Sequence, residues 1–403
     1  MIDSYIFEFP LSLILSVALV LCIVIWRYSP FAGFLTERPV VATLMAISAV
    51  ALAIEGTYAI GLFHHWAFLL LTILLLLSLG YTAFKDLRNN SKTALASHLG
   101  LFLTIFGAFF GSPDVTDTRM KVYQGEEEHI AIDRQGRAVP LPFNVTLEKF
   151  TTEFYSDGTS PKQYTSLLLL DGKSKKTNVN HPCHYKGYHI YQVGYGEDKA
   201  IYSVLKIVRD PWLPIPAVGA IFLAIGAILG LRPGRSNWKF IVAVMLLAVI
   251  FTFISIARIQ FGTLMPALRS LWFVPHLAVY MLAYALLAMS VIMGIASAFS
   301  SRIPETLSPR LLSTASSLLL VGMLCGAVWA EQAWGDYWTW DPKECWAAAT
   351  WMLTLAGTHL RAGRKNVRLA LTILAFLAMQ ISWYGVNYLP SSEKSLHTYN
   401  QKI

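Results

Sequence analysis

Imidazole is the commonest metal-ligating side chain, and four of the ten histidines in this sequence stand where that ability would count. His276, in SLWFVPHLAVY, opens one apolar run, and His397 lies in the polar tail NYLPSSEKSLHTYN. His98, in SHLGLFLTIFG, opens another run, and His359, in MLTLAGTHLR, closes a third. On the topology drawn below, the first two fall on one side of a bilayer and the other two near the opposite leaflet. Imidazole is a good axial ligand for haem iron, and ionisable groups at membrane depth are functional suspects by default. The competing reading has interfacial histidines snorkelling or capping helix ends. Periodicity alone does not bring the members of either pair together.

A second kind of chemistry is written in WAEQAWGDYWTWDPKECW, Trp329 to Trp346, with five tryptophans in eighteen residues. With Trp351, half of the chain's 12 tryptophans fall between positions 329 and 351. Asp341-Pro342-Lys343-Glu344 reads as a helix start: Asp341 as N-cap, Pro342 in the first turn, Glu344 as the reciprocal cap. The positive end of that helix dipole then faces the tryptophan run. A flat apolar ligand bearing carboxylates suits such a place. Indoles would cover its faces, and the helix end with Lys343 or Arg269 would meet its acids. An aromatic belt is the alternative, but a belt spreads its tryptophans over many helix ends.

Such residues need a frame. Of 403 residues 55% are hydrophobic and 14% charged, against about a quarter charged in soluble domains. Runs of about 18 or more apolar residues recur, each long enough to cross a bilayer. The expected fold is a polytopic α-helical membrane protein with about ten transmembrane helices and one small β-rich extracytoplasmic domain. The candidate spans lie near 10–27, 40–62, 66–84, 97–111, 213–231, 238–256, 274–297, 311–331, 346–361 and 368–388. The first lacks a basic n-region and a small-residue cleavage site, so it is expected to be a permanent span. Residues 112–210 are polar and alternate in the β manner, as in KQYTSLLLLDG and GYHIYQVGYG, with turn signals at Asp157-Gly158 and Asp171-Gly172. The domain reading is 1–111 for the N-terminal helices, 112–210 for the β domain, 211–256 for two linking helices and 257–403 for the remainder. Short segments on one side carry 14 Lys/Arg against 5 on the other. The positive-inside rule then puts both termini, the β domain and the tryptophan loop outside a cytoplasmic membrane.

Other signals exclude or stay open. The net charge of +8 is dispersed and sits largely at span ends, so bilayer orientation explains it better than nucleic acid. Cys22, Cys183, Cys325 and Cys345 form no CxxC pair, which argues against a disulfide framework or a thioredoxin-like centre. His181-Pro182-Cys183-His184 with His189 has the residue types of a metal site without a standard spacing. His64-His65 would be a spare haem contact or a satisfied loop pair. Arg258 and Arg269 would meet carboxylates or tether the interface.

At this point the residues carry a resemblance. WGDYWTWDPKECW looks like the tryptophan-rich signature of haem-handling proteins of cytochrome c biogenesis, in the CcsA (ResC) branch. That branch has an external His before the signature, another after it and a membrane His shortly beyond it, which match His276, His397 and His359. NHPCHYKGYHIYQ is similar to the N-x-P-x-x-YKGY-x-x-YQ segment of CcsB (ResB), and SHLGLFLTIFGAFFG resembles its His-bearing span. The chain thus resembles a CcsB–CcsA fusion, with an external domain that is short for CcsB.

The resemblance implies a holocytochrome c synthase. Haem b, as Fe-protoporphyrin IX, would enter at His98 and His359, move outward and be held by His276 and His397. The tryptophan loop, with Trp329, Trp334, Trp338, Trp340, Asp341 and Trp346, would position it. An apocytochrome c would present a CxxCH segment whose thiols add across the haem vinyls, with thiol-reducing maturation proteins as further partners. Positioning would supply much of the catalysis. As an N-cap, Asp341 has a structural role as well as a candidate part in proton transfer. The alternatives are a haem exporter or chaperone serving a separate ligase, and a di-haem electron conduit.

Overall fold

A computed structural model of the protein describes residues 9–197, 200–230, 264–361 and 363–395. The expected span at 238–256, Arg258 and His397 lie outside the described residues. The helices are α1 (Leu11–Trp26), α2 (Pro30–Leu35), α3 (Arg38–Tyr58), α4 (Trp66–Arg88), α5 (Lys92–Gly111), α6 (Pro214–Gly230), α7 (Phe273–Phe299), α8 (Leu307–Trp334), α9 (Pro342–His359) and α10 (Lys365–Trp383). Among the described residues six helices are long and apolar enough to cross a membrane, namely α3, α4, α5, α7, α8 and α10. Helices α1 and α6 are apolar but shorter.

Small residues decide which helices touch. In lipid the hydrophobic effect does not drive helices together, so close van der Waals approach must do so. A methyl added at Gly100 of α5 would lie 2.6 Å from the Leu223 backbone nitrogen of α6. The two backbones therefore meet directly, and a larger residue there would part them. Helix α3 meets α9 through Ala49, Leu52, Ala348 and Ala349. Helices α7 and α8 share the largest buried cluster with α6, α9 and α10, including Leu286, Leu287, Leu312 and Trp351. The α3–α9 contact runs across the boundary expected between the N-terminal helices and the C-terminal region, so both build one bundle.

Between α5 and α6 the chain forms one antiparallel sheet of eight strands: β1 (Thr116–Tyr123), β2 (Glu127–Asp133), β3 (Ala138–Phe154), β4 (Pro161–Leu170), β5 (Lys173–Asn178), β6 (Cys183–Tyr185), β7 (Tyr188–Glu197) and β8 (Ile201–Arg209). Their order is β5-β4-β3-β2-β1-β8-β7-β6. The expected turns are present. Asp171 and Gly172 both have positive φ, 47° and 78°, as a two-residue hairpin loop demands. The sheet folds over a core of Val122, Val145, Leu147, Leu168, Ile190, Leu205 and Ile207. Each such side chain contributes about 1.5–3 kcal/mol on full burial. Ser166 Oγ of β4 lies 2.6 Å from Gln192 Oε1 of β7 and 2.9 Å from Ser203 Oγ of β8, a buried polar tie across that core.

Asp114 fastens the sheet to the bundle. Its carboxylate accepts from the Trp212 indole at 2.7 Å, the Phe9 amide at 2.8 Å and the Ser12 hydroxyl at 3.0 Å. The bundle therefore has a sheet end, where α5, α8 and α10 finish and α6, α7 and α9 begin. At the far end, α4 and α9 finish and α5 begins.

Candidate functional site

At the far end two histidines remote in sequence come together. His98 sits in the second turn of α5 and His359 at the last residue of α9, with ring centres 6.2 Å apart and planes inclined at 56°. His98 Nδ1 lies 2.5 Å from an Asp86 carboxylate oxygen, supplied by the last turn of α4. His359 Nδ1 lies 2.8 Å from the Leu355 carbonyl, one turn earlier in its own helix. A carbonyl only accepts, so Nδ1 of His359 carries the proton and Nε2 carries the lone pair. The carboxylate of Asp86 imposes the same tautomer on His98. Both rings thus present the nitrogen that binds metal. Next to the pair, toward the sheet end, lies a small apolar crevice between α3, α4, α5 and α9. Leu101, one turn from His98, and Met352, two turns before His359, line it.

At the sheet end His276 occupies the first turn of α7, and its Nδ1 lies 2.8 Å from the Gly322 carbonyl of α8. Its ring meets Tyr280 at 4.8 Å and Trp329 at 5.8 Å. Trp329 is buried and donates from its indole to the Ala267 carbonyl at 2.8 Å; Trp334 meets it edge-on at 5.3 Å. A methyl at Gly326 would lie 2.6 Å from His276 Nδ1, so the glycine spacing of α8 makes the berth for this ring. The partner expected for His276, His397, is outside the described residues. The tail leading to it is docked as far as Ser391, whose hydroxyl donates to the Gly56 carbonyl at 2.6 Å.

The tryptophan loop is held from three directions. The capping box forms as expected: Asp341 accepts from the Lys343 amide at 2.8 Å, and Glu344 accepts from the Asp341 amide at 3.2 Å. Trp340 has φ +60°, rare for a bulky residue. Its ring stacks on Phe63 at 4.7 Å and 9°, and Trp338 meets it edge-on at 6.1 Å. The Phe63 turn is itself held by buried Glu55, which accepts from the amides of Gly61 and Leu62. Trp346 packs against Gly56, where an added methyl would lie 2.8 Å from its indole.

The third hold comes from the sheet, and sequence reasoning missed it. On β7 and β8 the alternate residues Ile190, Gln192, Leu205 and Ile207 point into the sheet's core. Tyr191 and Lys206 point the other way and sit directly opposite one another, yet both are only 3% exposed. The loop covers them. Tyr191 donates to Glu331 of α8 at 2.6 Å, and the Lys206 ammonium meets Asp336 at 2.5 Å with Asp117 at 3.6 Å. Arg134 adds a contact to Asp336 at 3.3 Å. Gly335 is a positive-φ helix stop, and a methyl there would strike the Tyr191 ring at 2.9 Å. Burial, then the Glu331 charge, pushes the Tyr191 phenol far above its ordinary range. Burial also raises Tyr337 to about 12, followed by the charges of Glu331 and Asp210. A lone acid in an apolar helix and a lysine inside IYSVLKIVR were the signals available.

The comparisons now bear on these contacts. A family model described as Cytochrome C assembly protein matches residues 214–392, and one described as ResB-like family matches residues 90–201. The chain is 36% identical over 180 residues to "Cytochrome c biogenesis protein CcsA" of Prochlorococcus marinus (strain AS9601), covering 34% of this chain and 57% of that protein. The proteins of that name from Guillardia theta and Pyropia yezoensis are 33% identical over 174 residues and 44% over 100, covering 34% and 24% of this chain and 56% and 30% of those proteins. The two family matches and the CcsA-named relatives together support a CcsB–CcsA fusion. The chain spans a little more than half the length of the first of these relatives.

The far-end pair is shared between the two matched segments, His98 from the ResB-like one and His359 from the cytochrome c assembly one. The Tyr191–Glu331 contact likewise joins the two, and Lys206, just beyond the ResB-like segment, meets Asp336. The other sequence signals resolve differently. Cys183 is buried in the sheet, while His184 and His189 face each other at 4.2 Å. Among the described residues no three His, Cys, Asp or Glu side chains gather around a common metal position. His65 caps α4 by accepting from Ala67 at 3.3 Å. Arg269 turns to the sheet and donates to the Lys162 carbonyl at 3.2 Å. All four cysteines are free.

Proposed function

We propose that this chain serves cytochrome c maturation as a haem carrier and holocytochrome c synthase. In this reading haem is substrate. It binds between His98 and His359 at the far end, passes along the bundle and comes to rest at His276 and His397, with the tryptophan loop against its edge. The Lys/Arg bias supports an external sheet end and external termini. A client CxxCH segment then offers its thiols. Each sulfur bonds to a vinyl carbon while a proton is added to the neighbouring carbon, so the addition is redox-neutral. Trp329, Trp334, Trp338, Trp340 and Trp346 supply apolar surface, and Asp341 keeps the loop in shape as the cap of α9.

The observation that carries the reading is the far-end pair. A metal bound at about 2 Å by each of two imidazoles, a usual distance for zinc, sets their ring centres about 6 Å apart. Those of His98 and His359 are 6.2 Å apart, from helices 261 positions apart in sequence. The neighbouring helix surfaces are apolar, which is the chemistry a porphyrin face meets.

The test is purification followed by absorption spectroscopy, with co-expression of an apocytochrome. Wild-type protein should carry bis-imidazole haem, and His276→Ala and His397→Ala should each reduce thioether product to background. Untouched maturation in both variants would overturn the proposal. Reconstitution of protein, haem and a reduced CxxCH peptide separates synthase from carrier, since a carrier alone yields no thioether.

A further inference from the structure

The two far-end histidines are held by unlike partners. His98 is bonded across a helical hairpin to a carboxylate, Asp86, whose side chain is only 14% exposed. His359 is bonded to a neutral carbonyl of its own helix. A hydrogen bond to an ionised acceptor is roughly twice as strong as one to a neutral group. It also draws the Nδ1 proton outward, which leaves more electron density on Nε2 and makes the imidazole a better donor to metal. The two rings differ in their mounting as well. His98 and Asp86 lie on α5 and α4, joined by a three-residue connection from Asn89 to Ser91, so the hairpin carries ligand and partner together. His359 ends α9, whose first residue follows the Asp341 cap of the tryptophan loop. Any axial shift of α9 would move His359 and the loop as one body.

We infer that Asp86 makes His98 the stronger far-end ligand, so that an iron porphyrin bound there leaves His359 first and stays on His98. Asp86 is a positioning residue and does not touch the porphyrin iron. The inference rests on the haem reading above, and it adds an order of release set by the α4–α5 hairpin. His359 is then the ligand that yields when haem moves toward the sheet end.

The experiment uses the full-length protein carrying His276→Ala, so that only far-end haem is observed. Asp86→Asn, Asp86→Glu, His98→Ala and His359→Ala are each added, and haem is titrated in. Haem affinity, displacement by free imidazole and the midpoint potential are measured spectroscopically. Asp86→Asn should weaken haem binding about 10- to 100-fold and raise the potential, because a weaker donor favours ferrous iron; Asp86→Glu should restore part of both. His359→Ala should keep more haem than His98→Ala. Wild-type affinity and potential in Asp86→Asn overturn the inference, as does equal loss in the two histidine variants. If Asp86→Asn fails to fold, the histidine comparison and Asp86→Glu decide. A parent that takes up no haem at all overturns the haem reading itself, an outcome distinct from symmetrical binding.

Discussion

The two ends of the bundle hold their histidines by different means. At the far end both imidazoles are fixed from within the bundle, by an acid one hairpin away and by a carbonyl one turn back. At the sheet end His276 is fixed by the close approach of α8, while the surrounding aromatic loop depends on the sheet. On the function proposed above, a client protein needs access to the second site and none to the first. Both ends draw on both matched segments, but the far end is held within the bundle while the sheet end leans on the sheet as well.

That contrast breaks most readily at Lys206. It is a buried ammonium whose two carboxylate partners, Asp336 and Asp117, belong to the loop and to β1. Removing one member of a buried ion pair leaves the other charge uncompensated, at about 3–5 kcal/mol. Asp336 is about a quarter exposed and both carboxylates keep Arg134, so the cost lies at or just below the lower figure. Lys206→Met should therefore lower unfolding stability by about 3 kcal/mol, read by chemical denaturation in detergent. Haem taken up at the far end should keep its spectrum. A parallel change in both sites would mean that the ends are not independent.

Gly326 tests the same division from inside the bundle. A methyl there would fall 2.6 Å from Nδ1 and 2.7 Å from Cε1 of His276, so the ring must move or α7 and α8 must part. Overpacking of this kind costs about 1–3 kcal/mol. Gly326→Ala should alter the spectrum of sheet-end haem and slow thioether formation, with far-end haem unchanged. Wild-type thioether yield would show that the berth tolerates displacement.

Much of this was legible in the sequence, for identifiable reasons. The Asp341–Glu344 cap and the hairpin at Asp171-Gly172 are local, so adjacent residues sufficed to specify them. The helix-forming runs were legible from length and apolarity, although those near 10–27 and 213–231 form helices short of the full span expected. Asp86 was passed over because one acid among the Lys and Arg of a span end looks like an interfacial charge; only the fold shows that His98 stands over it. Lys206 and Tyr191 escaped for a geometric reason. Strand alternation turns them away from the sheet's core, and their burial comes from a loop more than a hundred residues later. Tertiary cover of this kind leaves almost no trace in local pattern.

The cap of α9 gives a smaller effect. Asp341 is buried and accepts from Lys343, and its own amide is held by Glu344. Replacing an acidic N-cap by alanine costs about 1 kcal/mol. Asp341→Ala should show that loss in denaturation, with a modest fall in maturation as the loop loosens. Asp341→Asn can still accept the Lys343 amide and should recover most of both. A variant that is stable yet inactive would instead point to a proton-transfer role for the carboxylate.

The smallest expected effect is one of pH, and it arises in the sheet. Burial holds the His184 imidazole below its usual range, with the His189 charge next in weight, while Glu331 acts in the opposite sense. Folded His184 therefore takes up its proton at lower pH than the unfolded chain, whose histidine titrates near about 6.5. Between the two values the unfolded state binds more protons, so stability is complete above about pH 6.5 and falls as the pH drops toward the folded value. His184 lies at the surface, and solvent screening keeps the change under about 1 kcal/mol. His184→Asn should flatten the wild-type stability profile between about pH 6.5 and 5. An unchanged slope would show that His184 does not set it.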